Sequence, residues 1–159
     1  MNSHYSSRLT SLLAGLSFAV GIAVLPFANA GAGGGAEEEV ATDKPYTVDC
    51  EQKDENGQAV CLTDKDTYVG WRTYHATCHV CHGQDAVGSS FAPSLVERLK
   101  VIDKARFEDV VKNGMKGQMG VMPGWGENPN VKGFIDELYV YLQARSDGAL
   151  KPGRPQWKK

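Results

Sequence analysis

Cys78-His79-Val80-Cys81-His82 is the stretch on which the reading of this chain turns. Two cysteines three positions apart with a histidine directly after them form the attachment pattern for c-type haem. The spacing has a chemical reason. On one turn of helix, two such thiols reach the two vinyl groups on one edge of a porphyrin and form thioethers. The next residue then turns its imidazole toward the iron. Two other chemistries use the same residue types. A thioredoxin-like pair needs a surrounding βαβ pattern, which the flanking sequence lacks. A zinc site needs four ligands at suitable spacings, and the other two cysteines, Cys50 and Cys61, lie far upstream. Cys78, Cys81 and His82 are therefore read as cofactor-binding residues, with His82 on the metal.

A haem iron that transfers electrons is usually held on both axial sides, and Met opposite His raises its potential. Downstream stand Met115, Met119 and Met122. Met115 follows the helix stop Asn113-Gly114, and Met119 is flanked by Gln and Gly. Met122 lies in Val121-Met122-Pro123-Gly124-Trp125, where proline fixes the backbone just after it. Most methionines fill cores. A Gly-rich loop with few other apolar side chains is a poor core segment, so Met122 is taken as the second metal ligand.

Upstream, residues 1–30 have the three-part layout of a secretory signal peptide. Met1–Arg8 is basic, Leu9–Phe27 is uncharged and apolar, and Ala28-Asn29-Ala30 is a small-x-small cleavage signal. An uncleaved anchor is the competing reading, since the uncharged run is nearly long enough to span a bilayer. Pro26 ahead of the Ala-x-Ala site favours cleavage. Export puts the mature chain in the periplasm, without a membrane span, where disulfides persist. Residues 31–45 then read as a flexible acidic lead-in, a Gly/Ala run followed by Glu37-Glu38-Glu39.

The formal net charge of −2 conceals a split: Glu37–Asp66 carries ten acids against three bases, and Thr67–Lys159 nine acids against 13 bases. With a pI near 6.1, the chain lacks the basic excess of a generic nucleic-acid binder.

The second cysteine pair falls in a hairpin over residues 46–62. Tyr46–Asp49 and Ala59–Leu62 are strand-like runs around the turn sequence Asp54-Glu55-Asn56-Gly57. A four-residue turn sets Lys53 against Gln58 and Cys50 opposite Cys61, where directly opposed residues fall in disulfide range. A two-residue Asn56-Gly57 turn would set Cys50 against Thr63 instead. The wider turn and a structural Cys50–Cys61 disulfide are the expectation.

Residues 63–150 read as one helical domain. Thr63, with Asp66 three residues later, opens a helix that runs into the cysteine motif and places Gly70 and Tyr74 on one face. A middle helix spans Lys104–Asn113, capped by Asp103, with Phe107, Val110 and Val111 inward. Phe134, Ile135, Leu138, Tyr141 and Leu142 stripe a last helix opened by Asn130 and stopped near Gly148. His75 and His79 read as exposed helix residues, and residues 151–159 as a basic tail. So few apolar side chains make a thin core, which a buried macrocycle would complete.

From about Tyr68 to Gly148 the sequence resembles the class I monohaem cytochromes c. The matching parts are Cys78–His82, Gly83, Pro93, the Met122-Pro123-Gly124-Trp125 loop and the aromatic-bearing last helix. The extra cysteine pair, and Ser146-Asp147-Gly148-Ala149-Leu150 before a Pro- and Lys-bearing tail, resemble the four-cysteine c-type cytochromes associated with methanol metabolism. The resemblance implies an all-α fold, the small class I cytochrome c fold around one covalent haem c, with a disulfide-closed N-terminal hairpin. It implies close crossing of the first and last helices, which Gly70 and Gly133 would allow. It also implies that the Pro93 carbonyl accepts the Nδ1–H of His82, and that the chain is a monomeric electron carrier rather than an enzyme. The implied donor is a pyrroloquinoline-quinone-dependent methanol or alcohol dehydrogenase, and the acceptor an oxidase or another cytochrome. Two alternatives stay open: a haem enzyme or gas sensor with an open sixth site, and a cytochrome subunit of a dehydrogenase complex.

Overall fold

The computed structural model describes residues 43–118 and 120–159, which lie within one compact unit, Ala41–Lys159. The expected signal peptide 1–30, the acidic lead-in as far as residue 42, and Met119 lie outside the described residues. Among the described residues, no helix is long and apolar enough to cross a membrane.

The chain first forms a hairpin of β1 (Val48–Lys53) and β2 (Ala59–Thr63). Its register is Val48↔Thr63 and Asp49↔Leu62, then Gln52↔Val60 and Lys53↔Ala59. Lys53 therefore meets Ala59, not Gln58. The turn is wider than the sequence suggests because the Asp54 carboxylate accepts from the N–H groups of both Asn56 and Gln58, while the Asp54 N–H donates to the Gln58 carbonyl. A β-bulge absorbs the extra residue, setting Cys50 and Glu51 against the single Cys61. That restores the opposition of Cys50 and Cys61, and the disulfide joins them.

Helix α1 (Lys65–Thr73) follows after a single residue, Asp64. Its cap is Asp64 rather than Thr63: one carboxylate oxygen accepts from the Thr67 N–H at 2.8 Å and the other from Thr67 Oγ1 at 2.9 Å. Thr63 ends β2 and is buried instead. The helix continues through a π-helical turn, Tyr74–Cys78, into α2 (His79–His82). Shorter elements come next: a 3-10 turn at Gln84–Ala86, then α3 (Leu95–Arg98). Helix α4 (Lys104–Asn113) keeps its expected bounds and cap, Asp103 accepting from the Arg106 N–H at 2.8 Å. It buries Phe107 and Val111, while Val110 is half-buried.

A two-stranded ladder, β3 (Met115–Gly117) with β4 (Gly120–Met122), precedes α5 (Ile135–Ser146). Asn130 does not open α5. It lies in the turn before it, bonded to Asn128, and no side chain caps the helix. The stop at Gly148 holds: its N–H donates to the Arg145 carbonyl, and the Leu150 N–H to that of Ala144. Helices α1 and α5 cross at Gly70, where an added side-chain carbon would lie 2.7 Å from Tyr141 Cβ and overlap the Glu137 carbonyl. Gly133 has open space around it and takes no part. Tyr74, Leu138, Tyr141, Leu142 and Leu150 fill the core around this crossing, and α4 joins through Phe107 against Tyr139, ring centroids 5.3 Å apart.

The basic 151–159 segment returns to the hairpin. Its strand β5 (Gln156–Trp157) pairs parallel with β2, giving a sheet ordered β1-β2-β5. The helical domain thus carries two small sheets.

Candidate functional site

The cysteine motif sits where the helix changes geometry. A π turn inserts a residue relative to α-helical winding and is frequent at functional sites. Here it spans Tyr74–Cys78 and delivers Cys78 half-buried, Cys81 exposed and His82 buried. Tyr74 anchors the turn, its hydroxyl donating to the Gly83 carbonyl at 2.6 Å.

His82 is 6% exposed, and its Nδ1 lies 2.9 Å from the Pro93 carbonyl oxygen. A carbonyl only accepts, so Nδ1 carries the proton and the Nε2 lone pair is left for a metal. Burial holds the ring's pKa below the usual histidine value, partly offset by the Pro93 bond. A neutral imidazole is the ligating form. Burial, and next the neighbouring Cys81, push the Cys78 thiol up to about 12.

Met122 ends β4, half-buried against the same core cluster that receives Cys78. The loop around it is stitched to the end of α4: the Trp125 N–H donates to the Val111 carbonyl at 2.8 Å and the Gly126 N–H to that of Lys112 at 3.1 Å. Gly114, at φ +78°, lets the strands close. A side-chain carbon there would sit 2.5 Å from the Met122 carbonyl oxygen and 2.7 Å from the Gly124 nitrogen. Met115 directly opposes Met122 in the ladder, so both thioethers share one face, a relationship the linear sequence hides. Large apolar side chains are exposed on the motif (Val80), on the Pro93 loop (Val87 and Phe91) and on the Met122 loop (Val121). Two thiols, an oriented neutral imidazole, a thioether loop and an apolar fringe fit haem c.

His75 and His79 are not exposed helix residues. Both are half-buried and continue an aromatic row along the helix, Trp71 to His75 at 4.6 Å and His75 to His79 at 5.8 Å between centroids. His75 Nδ1 faces the Trp71 carbonyl at 2.9 Å. The sequence reading also missed the loop after His82. Asp85 (φ 57°) and Ala86 (φ 65°) are both left-handed, which costs on the order of 1–3 kcal/mol each for residues other than glycine. The Asp85 carbonyl accepts from the guanidinium of a distant arginine, a contact for which no sequence signature exists.

A family model described as cytochrome c oxidase, cbb3-type, subunit III matches residues 66–142. Cytochrome c-553I of Paracoccus denitrificans is 41% identical over 97 residues, covering 58% of this chain and 42% of that protein. The chain therefore spans less than half of that relative. Cytochrome c-555 of Methylococcus capsulatus is 37% identical over 91 residues, covering 57% of this chain and 71% of the relative. The crystal structure of the c-type cytochrome XoxG from Methylobacterium extorquens AM1 superposes with a TM-score of 0.59 at 37% identity, covering 71% of this chain and 78% of that one. The match to XoxG shows the small cytochrome c fold, and the family implies covalently bound haem c. On its Cys-x-x-Cys-His site, its fold and these relatives, the chain belongs to the c-type cytochromes.

Proposed function

We propose that this cytochrome is a periplasmic one-electron carrier whose haem would be attached through Cys78 and Cys81, with His82 and Met122 as the residues that would hold its iron. The observation that carries the reading is the bond from His82 Nδ1 to the Pro93 carbonyl, 2.9 Å long, which aims a neutral imidazole. When bound, haem c supplies the Fe(II)/Fe(III) couple. The chain's own residues would tune and hold it: Pro93 raises the basicity of His82, and Met122, on a loop bonded to the end of α4, would supply a thioether. The signal-like residues 1–30 and the Cys50–Cys61 disulfide support an oxidising compartment. If Cys78 and Cys81 are both changed to Ala, the chain should lose haem on acid–acetone extraction, whereas the wild-type polypeptide should stay coloured. A colourless wild-type polypeptide would refute the attachment.

The donor we propose is a pyrroloquinoline-quinone-dependent methanol or alcohol dehydrogenase, with an oxidase or another cytochrome as acceptor. The four-cysteine pattern supports this class of donor. Docking should use the basic haem-bearing part, since rim charges act mainly on the encounter rate. Lys112 is already matched by Glu108 at 2.7 Å, so the exposed Lys116 on β3 should contribute more. Stopped-flow reduction by the dehydrogenase should slow as salt rises toward physiological levels, where the screening length is about 8 Å. At low salt, Lys116→Gln should slow it more than Lys112→Gln. A rate indifferent to salt and to Lys116 would show that docking uses another face.

A further inference from the structure

Arg145, one residue before the end of α5, is only 7% exposed. Its guanidinium donates from Nε and Nη2 to the Asp85 carbonyl, at 3.3 and 3.2 Å, and from Nη1 to the Leu150 carbonyl. The Asp85 carboxylate in turn accepts from the Gly153 N–H at 2.8 Å. Asp85 and Ala86 are the two non-glycine residues at positive φ among the described residues. Left-handed backbone of this kind persists only where its surroundings over-determine it, and it gathers at functional sites. Here the strained pair lies inside the loop that begins one residue past His82. The Gly88 N–H closes that loop onto the His82 carbonyl at 2.8 Å, and the loop runs on to Pro93, whose carbonyl orients the His82 ring.

We infer that Arg145 is a positioning residue for His82. By locking Asp85 and Ala86 in the left-handed region, it fixes the path from Gly83 to Pro93 and so the bond that aims the imidazole. The inference rests on the reading of His82 as the iron ligand. Without the lock, the two residues relax, the Pro93 carbonyl withdraws and the imidazole donates less strongly to iron. A weaker donor favours the ferrous state.

The test is the ferrous-to-ferric ratio of the holoprotein at a fixed solution potential, read from its visible spectrum. Arg145→Lys keeps the charge but loses the fork. It should raise the ratio three- to tenfold, and tenfold corresponds to about 59 mV for one electron. Adding Ala86→Gly, which removes strain without removing a hydrogen bond, should bring the ratio back toward wild type. Because lysine keeps the cation, a changed ratio reports the lost lock rather than a field effect. A lysine variant that melts earlier but keeps its ratio has lost only structure, and the proposal falls. Should that variant not fold, Arg145→Gln takes its place. Losing the cation would by itself lower the ratio, so a rise of at least threefold still reports the lost lock. An unchanged or lower ratio overturns the proposal. A His82→Ala protein with an unchanged low-spin spectrum would instead defeat the ligand reading itself.

Discussion

Gly70 and Glu137 meet so closely that a side-chain carbon at residue 70 overlaps the Glu137 carbonyl, and the same carbon would be 2.7 Å from Tyr141 Cβ. The obstacle is backbone, which cannot swing aside as a flexible side chain would. Gly70→Ala should therefore separate α1 from α5 and cost about 1–3 kcal/mol or more, despite alanine's better helix propensity. Chemical denaturation of the holoprotein measures this. A variant as stable as wild type would mean that the helices do not cross here. Gly133→Ala, with open space around residue 133, should be neutral or slightly stabilising by the same assay.

The Cys50–Cys61 disulfide closes a loop with a sequence separation of 11. In the chain-entropy model, removing it by Cys50→Ala with Cys61→Ala should cost about 3 kcal/mol. Both cysteines lie in the hairpin, away from the Cys78–His82 motif in the chain, so visible spectrum and midpoint potential should not move. A shifted potential after mild thiol reduction would instead give this disulfide a redox role.

Asp147 joins the N-terminal stretch to the end of α5, accepting from Lys44 Nζ and Tyr46 hydroxyl, each at 2.7 Å, and from Gln143 Nε2 at 2.9 Å. Burial alone would raise its pKa. The bonds from Lys44, Tyr46 and Gln143 more than offset that and hold it below the ordinary carboxylate value. A depressed folded pKa contributes stability fully above the unfolded value of about 3.9, and that stability is lost as pH falls through the folded value. Asp147→Ala should thus cost about 1 kcal/mol near neutrality, discounted because Lys44 is exposed, and little once the pH has fallen below the folded value. A destabilisation that persists unchanged at low pH would remove the ionised carboxylate from the account.

Local signals made much of this legible. Asp103 and the Phe107–Val111 spacing predict α4 to the residue, because cap chemistry and periodicity agree there. The disulfide partners follow from turn chemistry, but the register beyond Glu51 does not, since the Asp54 side chain widens the turn and the bulge compensates. Strand β5 is two residues long and has no periodicity to read. Arg145 binds main-chain carbonyls, which every residue possesses, so nothing at Asp85 or Leu150 announces it. The lone Gly133 drew a role that Gly70 performs by itself.

Met122 and Met115 face each other across the β3–β4 ladder, which makes Met115 the competitor for the sixth position. Met122 packs against the core cluster and its loop is bonded to α4. The weak far-red band that reports sulfur on ferric iron should vanish in Met122→Ala and persist in Met115→Ala. The reverse would move the ligand across the ladder.

A haem held by both His82 and Met122 would carry electrons and bind nothing else. Visible absorption of the ferrous protein before and after carbon monoxide decides this. The wild-type spectrum should stay unchanged, and Met122→Ala should form a prompt carbon monoxide adduct. Prompt adduct formation by the wild-type protein would contradict it and point to the enzyme or gas-sensor alternative with an open sixth site.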